Sequence, residues 1–253
     1  MKNKAFKIFL TLIFYYLLCS SAISQIQFNF DVTNIEILDN GNIFKGSERG
    51  TITTDNGIII SANNFEFNKI SNILIATGKV KIEDTIQNYI LYTDAITYFK
   101  NKEIILTEGN SKAIEEDGKI ITANNFNYNK NLNILNTEGN SKAIEEGGKI
   151  ITANNFNYNK NLNILNAKNN VEIRDDLQDY IIIAEDITYD KNQEKITTNG
   201  KTYSKIKSIY DIQSENIIFL VNQEVISSNK KTIIKDDEST VYNLDEFNYS
   251  FKN

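Results

Sequence analysis

The side chains able to do chemistry here are carboxylates, lysines, tyrosines and aliphatic hydroxyls. The sequence holds no histidine, tryptophan or proline, and its one cysteine is Cys19. Beyond the first twenty residues this excludes a histidine-based triad, a thiolate nucleophile and the common zinc sites. Carboxylates cluster at Glu115-Glu116-Asp117, at Asp175-Asp176 and in Lys235-Asp236-Asp237-Glu238. None has the Asp-x-Asp-x-Asp-Gly spacing that wraps calcium, so they read as solvated turns, and no metal is expected. Two carboxylates astride a glycosidic bond would hydrolyse a glycan. No such pair breaks the repeat described below as a grafted active site should, so the chain is read as non-enzymatic and without a cofactor. Lys69, Lys100, Lys130, Lys160 and Lys191 recur at one turn position, where they read as solubility and edge protection.

The elements that must position these groups are organised by repetition. Residues 107–136 read TEGNSKAIEEDGKIITANNFNYNKNLNILN, and residues 137–166 repeat them with one change, Asp117 becoming Gly147. A contiguous duplication that leaves a fold intact implies a stack that gains a layer, rather than a closed core that must find room. Weaker copies run along the chain, each with two inward apolar residues spaced two apart. They are Phe65/Phe67, Ile96/Tyr98, Phe126/Tyr128, Phe156/Tyr158, Ile187/Tyr189, Ile217/Phe219 and Phe247/Tyr249. Successive pairs are 30 or 31 residues apart, so one repeat domain covers the chain after its leader.

Each unit reads as one antiparallel hairpin. GKIITANNFNY forms the first arm and Asn129-Lys130-Asn131 the turn; LNILNTEGNSKAI forms the second arm and Glu145-Glu146-Gly147-Gly148 the next turn. Alternation slips by one residue within the arms: Ile121 and Ala123 are odd, Phe126 and Tyr128 even; Ile73 and Ile75 are odd, Val80 and Ile82 even, across Ala76-Thr77-Gly78. A phase change at Gly or Asn marks a bulge or bend, so every arm is expected to fold over at mid-length. Fourteen or so bent strands spaced by ~4.8 Å give a body roughly 65 Å long with a continuous apolar trough inside.

Residues 1–24 read as a secretory signal peptide, with Lys2, Lys4 and Lys7 ahead of an apolar run from Ile8 to Leu18 and small residues Ala22 and Ser24 before Gln25. The run is shorter than the ~20 residues of a membrane-spanning helix. Losing three of 27 basic residues against 33 acidic ones moves the net charge from −6 to 24 − 33 = −9. An acidic exported chain is a poor partner for nucleic acid.

The pattern ANNFEFNK…NILIATGKVKI, returning as ANNFNYNK…LNILN and AEDITYDKNQEKITTNG, resembles the OstA-like family of lipopolysaccharide transport proteins, which includes LptA and the N-terminal periplasmic domain of LptD. The resemblance covers about Phe28 to the C-terminus. It implies an all-β, open twisted β-jellyroll, a stack of bent antiparallel hairpins whose edge strands pair with other Lpt-type jellyroll domains. It implies a periplasmic protein, associated with the outer membrane and its assembly partners, that shields the lipid A acyl chains of lipopolysaccharide in an apolar trough. The matching interior positions are Phe65, Phe67, Ile96, Tyr98, Phe126, Tyr128, Phe156, Tyr158, Ile187, Tyr189, Ile217 and Phe219, as lipid-binding or core residues. The recurring lysines would, in a sharper reading, contact lipid phosphates. Unlike LptD, the sequence has no C-terminal β-barrel, and it stops after the first arm of its last unit, as expected of a front fragment or of a strand offered to a partner. The competing expectation is a structural surface stalk built as a parallel β-helix, which would show parallel strands and ladders of identical residues.

Overall fold

The structure is a computed structural model and describes residues 28–252; the expected signal peptide lies outside them. Its 23 strands combine into fifteen arms, seven running unbroken through the bend and eight interrupted by it. The first arm is Phe28–Leu38, the second Ile43–Thr54, and the last spans residues 241–250. Each arm pairs antiparallel with the next along both of its halves, as Tyr180–Asp190 does with Lys195–Ile206. The result is a single meander of V-shaped arms, and it excludes the parallel β-helix.

The bend divides the stack into two leaves that face each other. One leaf, here the aromatic leaf, contains residues 64–68, 95–99, 125–129, 155–159 and 186–190 with their neighbours. The other, the aliphatic leaf, buries Ile60, Ile82, Leu91, Ile121, Ile151, Ile173, Ile182 and Ile212. The crease follows from local backbone chemistry. Register slips between Thr77 and Val80 and between Lys168 and Val171, where Gly78-Lys79 and Asn169-Asn170 hold positive φ. Gly109-Asn110 and Gly139-Asn140 do the same. Two successive left-handed residues turn an extended chain sharply, a conformation that Gly and Asn tolerate best. A Cβ on Gly139 would also stand 2.5 Å from the Asn124 amide.

The corner leaves backbone N–H groups without a ladder partner, and buried hydroxyls take them. Thr107 Oγ1 accepts the N–H of Phe126 at 2.7 Å, Thr137 Oγ1 that of Phe156 at 2.8 Å and Thr198 Oγ1 that of Ile217 at 2.8 Å. Across the crease Asn124 N–H donates to Gly139 O and Asn154 N–H to Asn169 O, both at 2.9 Å. The bend therefore keeps its backbone groups satisfied although it is interior.

Turns stack as regularly as strands. At the aromatic-leaf end the N–H groups of Lys100, Lys130, Lys160 and Lys191 donate to the carbonyls of Asn72, Glu103, Asn133 and Asn163 at 2.9–3.1 Å. Asparagines continue the ladder, Asn133 Nδ2 donating to Asn161 Oδ1 and Asn163 Nδ2 to Asn192 Oδ1. Asparagines thus bond to asparagines from turn to turn in an antiparallel stack, because similar turns recur in every second arm; the bonded residues are 28 and 29 positions apart and are not repeat equivalents.

Candidate functional site: the seam between the leaves

All twelve candidate residues lie on the aromatic leaf and point into the seam, with relative exposures of 0 to 8 %. They face an inward row of the aliphatic leaf that the candidate set omitted: Ile52, Val80, Tyr89, Ala113, Ala143 and Val171 among them. The alternation of Ile121 with Ala123 ahead of Asn124-Asn125 carried that signal. Alanines there let the larger aromatic side chains opposite fill the gap. Close packing of this kind is the ordinary state of a protein core.

The two ends of the seam are less covered. At the first arm, Phe28, Phe30, Phe44 and Phe67 cluster with ring centroids 4.7 to 6.4 Å apart. Ile35 and Ile37, in register with the inward Gly46 and Phe44, remain half exposed. At the last arm Tyr210, Tyr249 and Phe251 form a cluster with centroids 4.8 to 5.6 Å apart. There the inward Tyr249, 43 % exposed, departs from the buried pattern of its equivalents, and Tyr242 and Leu244 are exposed with it.

The mouth of the V, where the turns of the two leaves meet, is closed by ion pairs over the middle of the stack. Lys130 Nζ lies 2.8 Å from Asp84 Oδ2, Lys160 Nζ 3.1 Å from Glu115 Oε1, and Lys191 Nζ 2.7 Å from Glu145 Oε2. In the opposite sense Lys149 Nζ lies 2.9 Å from Glu194 Oε2 and donates to Tyr189 Oη at 2.6 Å. Lys119 pairs with Glu115 and donates to Tyr158 Oη at 2.7 Å. Lys100 bridges Glu103 and lies over the Phe28 ring. The expectation that this lysine row is a solvent-facing guard is therefore corrected for Lys100, Lys130, Lys160 and Lys191; Lys69 is exposed. The carboxylate reading is corrected too. Glu115 belongs to the closure, and Asp175 is buried, accepting the N–H groups of Leu177 and Gln178. Glu116, Asp117, Asp176, Asp237 and Glu238 are the solvated members. Among the described residues no group of three or more acidic, histidine or cysteine side chains is arranged to hold a metal ion.

Sequence spacing hid these contacts. Partners are separated by 39 to 46 residues, as in Lys119 to Tyr158 and Lys130 to Asp84, because the leaves meet staggered, each arm end facing one that follows two or three arms later. Twisted sheets shear past each other in this way. Burial in the closed seam pushes the phenols of Tyr89, Tyr98, Tyr128, Tyr158, Tyr180 and Tyr189 well above the usual tyrosine range. They act as neutral donors or apolar rings, not as bases.

No family model and no curated protein matches the chain. Among solved structures it is similar to LptH from Pseudomonas aeruginosa, described as the LptA homologous periplasmic component of a lipopolysaccharide transport device. The TM-score is 0.41 and the identity 15 %, over 44 % of this chain and 82 % of that one.

Proposed function

We propose that the protein is a non-enzymatic lipid carrier of the cell envelope: a periplasmic conduit that shields the lipid A acyl chains of lipopolysaccharide between its leaves on the way to the outer membrane. The observation that carries this reading is the single apolar seam, shared by all fifteen arms and left uncovered at the last arm by Tyr242, Leu244 and Tyr249. Acyl chains resist water by about 0.8 kcal/mol per CH₂, so a lipid crossing an aqueous compartment needs continuous apolar cover. Among the described residues the first arm pairs only with the second. Residues 241–250 pair only with the arm before them. Both edges thus suit pairing with other Lpt-type jellyroll domains and with assembly partners at the outer membrane.

The closed mouth and packed interior favour a second reading, a structural stack that carries no lipid. Photo-crosslinking to lipopolysaccharide separates the two. A probe at Tyr249 or Tyr210 should capture lipid during transport, and one at the exposed, outward Lys142 should not. A folded protein that gives no adduct from either tyrosine while lipopolysaccharide is moving would leave the structural stack as the function.

A further inference from the structure

Along the mouth the cross-leaf layers differ in kind. From Tyr89 on, the residue at the mouth end of the aliphatic-leaf half of every second arm meets an aromatic-leaf residue 39 or 40 positions later. Toward the C-terminal end these layers are aromatic: Tyr180 meets Phe219 edge-on at 5.2 Å, and Tyr210 meets Tyr249 at 5.5 Å. Within the duplicated unit the same position holds Lys119 and Lys149, each hydrogen-bonded to the facing tyrosine and ion-paired. The lysine side chains are 3 % and 8 % exposed. The border layer of Tyr89 and Tyr128 is aromatic but is bracketed by the Lys130–Asp84 pair.

We propose that the duplicated unit is an ionic clasp fixing the leaves to each other at mid-stack, and that an acyl chain is taken up beyond it, between the leaves at Tyr180/Phe219 and Tyr210/Tyr249. The acyl identity of the ligand rests on the carrier reading; the clasp does not. An acyl chain that enters the Tyr180/Phe219 layer replaces one apolar contact by another, whereas at Tyr210/Tyr249 it also parts two exposed hydroxyls 3.2 Å apart, whose hydrogen bond water can replace. The Tyr180 hydroxyl is buried with no hydrogen-bond partner among the described residues, so that layer loses no polar contact when it parts. A chain pushed between Lys149 and Glu194 would instead strand two charges in an apolar slot, which is strongly unfavourable. Past Glu194 the next cross-mouth pair, Lys207 with Glu224 at 3.4 Å, is solvent-exposed on both sides and weak for that reason. The same end exposes Tyr249 and Leu244, the entry such a site needs.

Spin-label distances across the mouth test this in the full chain carrying Cys19→Ser. One label pair, Gly147→Cys with Gln193→Cys, spans the clasp; Gly147 has negative φ and open space at its Cβ position, and Gln193 is exposed. The second pair, Leu177→Cys with Gln223→Cys, spans the Tyr180/Phe219 layer from two exposed turns. With purified lipopolysaccharide, and separately with lauric acid, the second pair should shift to longer distance while the clasp pair keeps one narrow distance. Lys119→Tyr with Lys149→Tyr, which installs the residue found at positions 89, 180 and 210, should let the clasp pair move as well. Lys191→Met serves the same purpose if that variant does not fold. Equal shifts at both pairs in the unaltered clasp would overturn the proposal. So would a C-terminal shift that follows protein concentration without lipid, which would assign that end to a second copy. A narrow clasp distance with no response to either lipid would overturn the carrier reading and the acyl site but leave the clasp standing.

Discussion

Deleting residues 107–136 should shorten the stack without unfolding it. The junction joins Leu106 to Thr137 and regenerates an arm reading IILTEGNSKAIEEGG, which differs from residues 104–118 only by Gly147 in place of Asp117. Each lost contact has a copy to replace it: Tyr158 falls where Tyr128 met Tyr89, Lys160 where Lys130 met Asp84, and Thr137 caps Phe156 as Thr107 capped Phe126. Two arms are removed, so the body shortens by about 9.6 Å at ~4.8 Å per strand. The unit is 30 of 225 described residues, and because the denaturant slope follows the surface exposed on unfolding, it should fall by about 13 %. Small-angle scattering reads the length and urea unfolding the slope, with one cooperative transition expected. Removing 107–121 instead puts Thr122, which runs toward the crease in the aliphatic leaf, directly after Leu106, which runs toward it in the aromatic leaf, and should abolish folding. If the whole-unit deletion aggregates, or the half-unit deletion folds equally well, the V-shaped meander and its repeat-to-repeat equivalence are wrong.

Three further outcomes follow from the same contacts. Thr137→Val leaves the buried Phe156 N–H without its acceptor and should cost about 1–3 kcal/mol in urea unfolding, with Thr107→Val matching it; a loss under about 0.5 kcal/mol would mean that the bend does not depend on these hydroxyls. Lys130→Met leaves Asp84, whose side chain is fully buried, with only backbone donors and should destabilise by about 3–5 kcal/mol, more than Lys130→Met does when combined with Asp84→Asn; equal losses would argue against a true cross-mouth pair. Alkaline unfolding should be steep: six buried phenols have raised folded-state pKa values, so above pH ~10 the unfolded chain binds fewer protons than the folded one and stability falls by about 1.4 kcal/mol per phenol per pH unit. That stability is fully present below pH ~10, and a circular-dichroism titration that stayed flat to pH ~12 would contradict the closed seam.

The sequence by itself determined whatever is written locally. Alternation with period two fixes which residues of one arm share a face, so the aromatic-leaf positions from Phe65 to Phe219 were legible, and Gly-Asn or Asn-Asn at mid-arm declared the left-handed corner. The thirty-residue spacing gave the antiparallel hairpin unit and its turns, because turn chemistry needs no distant partner. The aliphatic-leaf lining was half visible, since its Ile-x-Ala pairs sit in the opposite phase and carry little bulk. The clasp was not legible. Lys69 and Lys160 look alike in the sequence, yet one stays in water and the other meets Glu115 across the mouth, because the stagger of two twisted leaves, and not the spacing within any arm, selects which turn faces which. Tertiary structure alone therefore decided where the seam is tied by charge and where, toward Tyr249, it is left to apolar contact.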